Sequence, residues 1–530
     1  MIALAGVGAE VTELRGRAVV PGFVDAHHHL SNATLYRGAV DLTPRSARSV
    51  GDILIALRRA AASLPLGAWV VGIGYDDFAL AERRPPTRRE LDDACPDHPV
   101  MAMHFSFHQC VVNSRALEAA GIGRETRDPP AGRIGRGRRG EPNGQLFETA
   151  ISRVEPLARA GLLQRDTDGF IARLERYQQE LFAVGITRVA DPTVTRDFES
   201  LYRAAHASGR LRLPVVMMPV SERGYLEHPG DRLDDAPTGE GPDELRVGPL
   251  KLFFDGGDNC AVCITVAQGA RAGLASAVRM LRTRSLAPLR FGLRAHARLG
   301  RDLRIHTGVH YYETDASSVA FASRAVERGW ALAIHAMGNE GVEQALSTLA
   351  AVRARHRDSP PPRIEHAMLA SRESFARASR DGITLVVQPS FVTVPAVTDA
   401  PPLDPLVVLG FRSMLDAGAR VAASSDAPVT TFAPLDGVRS AVERRTASGE
   451  ALTPEEAVSV REALAMYTRE AARACGCLDT TGTIEPGKRA DLVILSDDPC
   501  RVPVSSLSDV RVEETVLGGA TVFRAGATPG

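Results

Sequence analysis

A chain of 530 residues is too long for one small core and suits a large domain with a smaller companion. Its 63 basic and 64 acidic residues nearly cancel, which excludes a broad field for nucleic acid or an anionic membrane, and no apolar run approaches the roughly 18 residues of a membrane span. The partner class left is a small molecule, with room for a homo-oligomer; seven scattered cysteines and a charged start (Glu10, Glu13, Arg15, Arg17) that spoils a signal peptide point to the cytoplasm.

The first element is the apolar run 18–26, "AVVPGFVDA", which leads directly into His27, His28 and His29. Strand residues alternate faces, so His27 and His29 project together and His28 points the other way into packing. Residues 65–165 read as an insertion. It holds two apolar runs, 68–75 and 99–106, and a basic glycine-rich stretch, 132–144, expected to be a solvated loop. Phe170, Leu174, Tyr177 and Leu181 then fall on one helical face, and Gly185 ends that helix before a strand at 185–192.

Further strands are expected at 211–220, 247–254, 330–336, 362–367, 382–390 and 419–428. They are rich in Val, Ile, Leu and Ala and barely alternate, as expected of parallel strands covered on both faces. Val342, Leu346 and Leu349 mark a helix between two of them. "TPEE" at 453–456 reads as a capping box that opens a helix running to about Gly476. Eight such strands with intervening helices predict an α/β fold, a (β/α)₈ barrel over 18–475. The alternating runs "RADLVILS" and "VEETVLGGATVF" predict a small β-sandwich built from 476–530 and completed by 1–17.

Chemistry-bearing residues gather at the ends of these strands: His27 and His29, Lys251, His335, His366 and Asp426. Active sites of such barrels lie at the C-terminal strand ends. Neutral imidazole and carboxylate are ligand types for Zn²⁺ and similar divalent cations; Mn²⁺ and Fe²⁺ use similar sets. Lys251 is the odd member, because a protonated amine repels a cation. A desolvated lysine loses its proton readily, and the neutral amine can take up carbon dioxide to become a carbamate able to bridge two ions. Cys260 and Cys263 form a C-x-x-C without a second pair, which argues against a zinc knuckle.

The ordered pieces "PGFVDAHHH", "FHQCVVNSRALEAAGI", "GEPNGQLFE", "LKLFFDG", "AIHAMGN", "RIEHA", "VVQPSF", "SSDAP" and "GTIEPGKRADLVIL" resemble the amidohydrolase superfamily. More narrowly they resemble its amidohydrolase-3 branch, which includes N-substituted formamide deformylases. The resemblance implies a site for one or two divalent ions, Zn²⁺ first among them, held by His27, His29, Lys251 as a carbamate, His335, His366 and Asp426. It implies catalytic roles for Asp426, as shuttle of the attacking water's proton, and for His366. His108 and Asp255 are the substrate-side candidates.

The implied activity is metal-dependent hydrolysis of a C–N bond other than a peptide bond, in an amide or N-substituted formamide. Hydrolytic deamination or opening of a cyclic amide uses the same site, and a non-catalytic binding or regulatory protein could use the same scaffold. Two departures stand out. Only 26 residues precede His27, so sandwich strands are missing or made differently, and residues 256–305, with "DNCAVCIT" and a basic stretch, depart from the family pattern near the expected mouth.

Overall fold

The computed structural model describes residues 13–220, 232–257, 260–283, 297–394 and 403–526, together with Val11 and Val397. Eight short strands run parallel: β1 (Phe23–Asp25), β2 (Ile186–Val194), β3 (Val215–Pro219), β4 (Leu250–Phe253), β5 (Leu332–Ala336), β6 (Arg363–His366), β7 (Thr384–Val387) and β8 (Arg420–Ala423). The first three pair in chain order, with a short strand Leu245–Val247 beside β3. Strands β4 to β8 form a second ladder, also in chain order. A parallel bridge between Val220 and Lys251 joins β3 to β4. At the other edge, the Asp426 N–H donates to the His27 carbonyl at 2.8 Å and the His29 N–H donates to the Ala427 carbonyl at 2.9 Å.

The period of two sorts the strand side chains into two apolar clusters. Val24, Ala190, Val216, Ala333, Val386 and Ala422 pack together with Ala471 and Ala472 of the helix Arg469–Ala474. Their neighbours Phe23, Val189, Val215, Ile334, Ile364, Leu385 and Val421 belong to the other cluster. The helix Thr167–Ala183 buries Phe170, Leu174, Tyr177 and Leu181, and the helix Asn339–Arg355 buries Val342, Leu346 and Leu349, the stripes their spacing predicts. Gly185 turns the chain from helix to β2 with φ +84, a conformation open to glycine at little cost.

The run 18–26 is not one strand. Ala18–Pro21 pairs antiparallel with Leu492–Leu495 in a four-stranded sheet completed by Val512–Leu517 and Ala520–Arg524. Only Phe23–Asp25 joins the parallel set. Pro21 lacks a donor N–H, and at Gly22 a Cβ would come within 2.2 Å of Thr187 Oγ1, so the chain changes sheets at this pair. The strands expected within residues 1–10 lie outside the described residues.

The inserted sheet is wider than 65–165. It starts at Val40–Asp41 and continues through Val70–Tyr75, Val100–His104, Gln109–Val112, Pro142–Glu148 and Gly132–Arg136. A two-residue strand carries no periodic signal, which is why its start was not legible. The basic stretch 132–144 is a hairpin rather than a solvated loop; Arg136 donates to the carbonyls of Arg124 and Gly140 and ties it down.

"TPEE" does not cap a helix. Pro454–Glu456 is a single 3₁₀ turn, Thr453 makes no capping bond, and the Glu456 carboxylate instead accepts from the Ser413 N–H at 2.8 Å and its hydroxyl at 2.5 Å. The helix Val460–Tyr467 is opened by a capping box of Ser459 and Glu462, and the chain breaks at Thr468 before Arg469–Ala474. The unusual segment after β4 folds as strands Val262–Thr265, Arg298–Leu299 and Arg304–Thr307 in one antiparallel sheet, with a helix Val266–Thr283 between the first two.

Candidate active site

The site begins where β1 stops. Asp25 accepts from the Ser425 N–H at 2.9 Å and the Ser425 hydroxyl at 2.5 Å, and its Oδ2 is 2.9 Å from His28 Nδ1. The far nitrogen of His28 is 2.8 Å from the Tyr177 hydroxyl. His28 therefore fastens the strand end from behind. His27 and His29 face the opposite way, and both Nε2 atoms meet one oxygen of Asp426, at 3.2 and 3.0 Å.

Each imidazole is gripped by its other nitrogen. His27 Nδ1 is 2.5 Å from Glu365 Oε2, and His29 Nδ1 is 2.9 Å from Thr193 Oγ1. His366 Nδ1 is 2.8 Å from Gln388 Oε1, while the Gln388 amide donates to Ser424 Oγ. Glu365 and Gln388 oxygens are acceptors, so Nδ1 of His27 and of His366 carries the proton and Nε2 keeps its lone pair. Glu365 is itself held by Arg363, whose Nε and Nη2 donate to it at 2.5 and 2.8 Å. Both partners are wholly buried, so each charge depends on the other. His366 and Asp426 leave their strands with φ of +75 and +57, left-handed values that are strained for non-glycine residues and typical of functional sites.

His335 lies deeper. Its ring centroid is 4.5 Å from that of His366, its Nε2 is 3.7 Å from Asp255 Oδ1, and that Nε2 has no hydrogen-bond partner among the described residues. Burial drives His335 well below the ordinary histidine value and takes His366 down to about 3, so both are neutral near pH 7. Lys251 is 1% exposed; burial lowers its amine to about 8 against the pull of Glu365 and Asp426. Burial would raise Asp426, but its contacts with the His27 and His29 rings hold it well below the usual carboxylate range.

This arrangement fits a divalent cation. A lone pair on His27 Nε2 faces a carboxylate oxygen at 3.2 Å, a repulsive contact that a cation between them would reverse. Donor atoms of His27, His29 and Asp426 all lie within 4.8 Å of one another. His335 Nε2 is a buried acceptor or donor in want of a partner nearby.

The two substrate-side candidates separate. His108 comes in from the inserted sheet. Its Nδ1 is 2.7 Å from Glu148 Oε2, and its ring is 5.7 Å from that of His335. It lies against Gly257, where a Cβ would sit 2.2 Å from His108 Nε2. Asp255, by contrast, is fully buried and accepts from the backbone N–H groups of Ala261, Met337 and Gly338. Both its oxygens hold loops together, so it is placed to position the segment after β4 against the start of the helix after β5. Sequence reasoning missed Glu365, Thr193 and Gln388. A signal existed for the first: Arg363 and Glu365 are two apart in an apolar strand, so they share a face and must pair.

Residues 10–523 match the model of the amidohydrolase family. The N-substituted formamide deformylase of Arthrobacter pascens is 32% identical over 521 residues, covering 97% of this chain and 90% of that protein. Protein LONG AFTER FAR-RED 3 of Arabidopsis thaliana is 28% identical, over 93% of this chain and 80% of that one. Among solved structures, a metal-dependent hydrolase of Pyrococcus horikoshii superposes with a TM-score of 0.65 at 23% identity, over 94% of this chain and 90% of that one, a likeness of fold. The chain belongs to the amidohydrolase family, and it is an enzyme that hydrolyses carbon–nitrogen bonds other than peptide bonds.

Proposed function

We propose that the substrate is an N-substituted formamide or a small amide, and that the eight parallel strands form a (β/α)₈ barrel whose mouth is the site, with the terminal antiparallel sheet as its β-sandwich companion. The observation that carries the reading is the pair of gripped imidazoles, His27 and His29, aimed at one oxygen of Asp426. The similarity to a formamide deformylase over nearly the whole chain supports the substrate class.

His27, His29 and Asp426 would hold one divalent ion, Zn²⁺ by the ligand chemistry. Lys251, His335 and His366 would serve a second, with the buried Lys251 amine as a carbamate. The bound ion supplies Lewis-acid polarisation of the carbonyl and lowers the pKa of water toward about 7. The chain's own groups do the rest. Asp426, kept ionised by His27 and His29, accepts the proton of the attacking water and delivers it to the departing nitrogen. The neutral His366 is fixed by Gln388 and cannot rotate away. His108, oriented by Glu148 and beside the His335 ring, would contact the substrate. Water adds across the C–N bond, giving formate and an amine.

The test is a panel of N-substituted formamides, simple amides, cyclic amides and amino-substituted rings, assayed for formate, amine and ammonia with metal-loaded and chelated protein. Formate and amine release that disappears on chelation is expected. Ammonia as the sole product would transfer the reading to deamination.

A further inference from the structure

A second group of metal-ligand side chains lies outside the catalytic residues, in the segment that departs from the family pattern. The strands Val262–Thr265 and Arg304–Thr307 run antiparallel, with Cys263 directly opposite His306. Asn339, the first residue of the helix after β5, clamps the Cys263 backbone from both sides. Its Oδ1 accepts the Cys263 N–H at 3.0 Å, and its Nδ2 donates to the Cys263 carbonyl at 3.0 Å. The next residue, Glu340, places Oε1 2.9 Å from His306 Nδ1, and its Oε2 lies 3.4 Å from His310 Nε2.

Donor atoms of Cys263, His306 and Glu340 all lie within 4.8 Å of one another. An ion-pair account explains part of this. His306 sits between Glu340 and Asp302, whose oxygens are 3.0 and 3.2 Å from its other nitrogen. Two carboxylates flanking an imidazolium need no thiol, yet the thiol completes the triangle. The Cys263 backbone is held by the Asn339 clamp and by the strand register opposite His306.

We propose that Cys263, His306 and Glu340 form a second site for a borderline-soft divalent cation, Zn²⁺ by class, separate from the catalytic centre. Thiolate, imidazole and carboxylate are the ligand types of such an ion, and three side chains leave a fourth position within reach of His310 or water. The C-x-x-C motif is misleading here: the partner of Cys263 is not Cys260 but a histidine across the strand. The consequence is mechanical. A backbone bridge joins Asp255 to His310, and Glu340 lies five residues beyond His335 on the continuing chain. An ion at this cluster ties the inserted segment to the element that carries a catalytic-site histidine. The proposal shares no side chain with the catalytic site, so either can fail alone.

The experiment is Co²⁺ loading of the full-length metal-depleted protein, read by absorption. No catalytic-site residue is a cysteine, so a near-ultraviolet thiolate-to-cobalt charge-transfer band reports the second site alone. The band is expected in the unmodified protein, in the His27→Ala/His29→Ala variant and in Cys260→Ser. It is expected to vanish in Cys263→Ser and to weaken in His306→Asn, with circular dichroism confirming that these near-isosteric variants fold. Absence of the band in the folded, unmodified protein at excess Co²⁺ overturns the proposal. So does a band that survives Cys263→Ser, or one that Cys260→Ser removes.

Discussion

The two halves of the candidate site are built differently. His27, His29 and Asp426, where β1 meets β8, have a partner on almost every polar atom: Glu365, Thr193, the backbone of Ala427, and behind them Arg363 and Asp25. Lys251 and His335, on β4 and β5, sit among apolar and aromatic neighbours, with His335 Nε2 unbonded and Lys251 Nζ 5.0 Å from the Phe253 ring centroid. The first half is held by the protein itself. The second has fewer polar partners among the described residues. A preassembled half sets geometry; a half left in deficit supplies affinity, because ligand binding relieves a desolvation cost that folding alone leaves standing.

That contrast can be broken or sharpened by experiment. The largest effect is expected from Asp426→Asn, which keeps shape but removes the base: kcat should fall by about 10²–10⁴-fold with KM little changed, measured on the best formamide substrate. Metal retention with lost turnover marks a proton-transfer role; unchanged kcat would refute it. Next, Glu365→Gln strips Arg363 of its buried counter-charge and His27 of its clamp. A stability loss of about 3–5 kcal/mol is expected in urea unfolding of metal-free protein.

Lys251→Met tests the other half and should move metal-free stability the opposite way. An amine no longer has to be buried, so the melting temperature should rise while metal content and activity fall. If both variants destabilise equally, the contrast is wrong. His108→Asn should raise KM more than it lowers kcat, and Glu148→Gln should do the same more weakly, since it only orients that ring. A kcat loss as large as that of Asp426→Asn would move His108 into the proton-transfer chemistry.

The smallest effect concerns pH and lies away from the site. Burial alone would raise the Glu462 carboxyl, but hydrogen bonds from Arg412 and Ser459 hold it at about 2, below its unfolded 4.5. The folded state therefore binds fewer protons than the unfolded state between those values. Its contribution is present above the unfolded value and is lost as pH falls from about 4.5 toward 2. Glu462→Gln should flatten acid unfolding slightly in that window and leave stability at pH 7 to 8 less changed than Glu365→Gln does.

How much of this was legible depended on whether the physics is local. The parallel strands and the helical stripes were legible because burial on both faces, or on one, writes a periodic pattern. That His27 and His29 share a face followed from alternation alone. Glu365, Thr193 and Gln388 were not legible as partners, because each acts across strands distant in sequence. Val40–Asp41 was too short to register, and Pro454 suggested a helix start that Glu456 forgoes in favour of Ser413. The Cys263–His306 pairing is the same lesson: a cross-strand register is invisible in a motif read along the chain.

The hydrogen bonds from Ser425 to Asp25 span 400 residues of chain. Along the nascent chain, the aspartate that His27 and His29 face is made about 400 residues after them. At about 5–20 residues per second, that is a delay of roughly 20–80 seconds. For that interval the paired histidines lack the carboxylate they face in the folded chain. His28, gripped by Asp25 and, 149 residues further on, by Tyr177, is placed to hold the loop in shape while the remainder arrives.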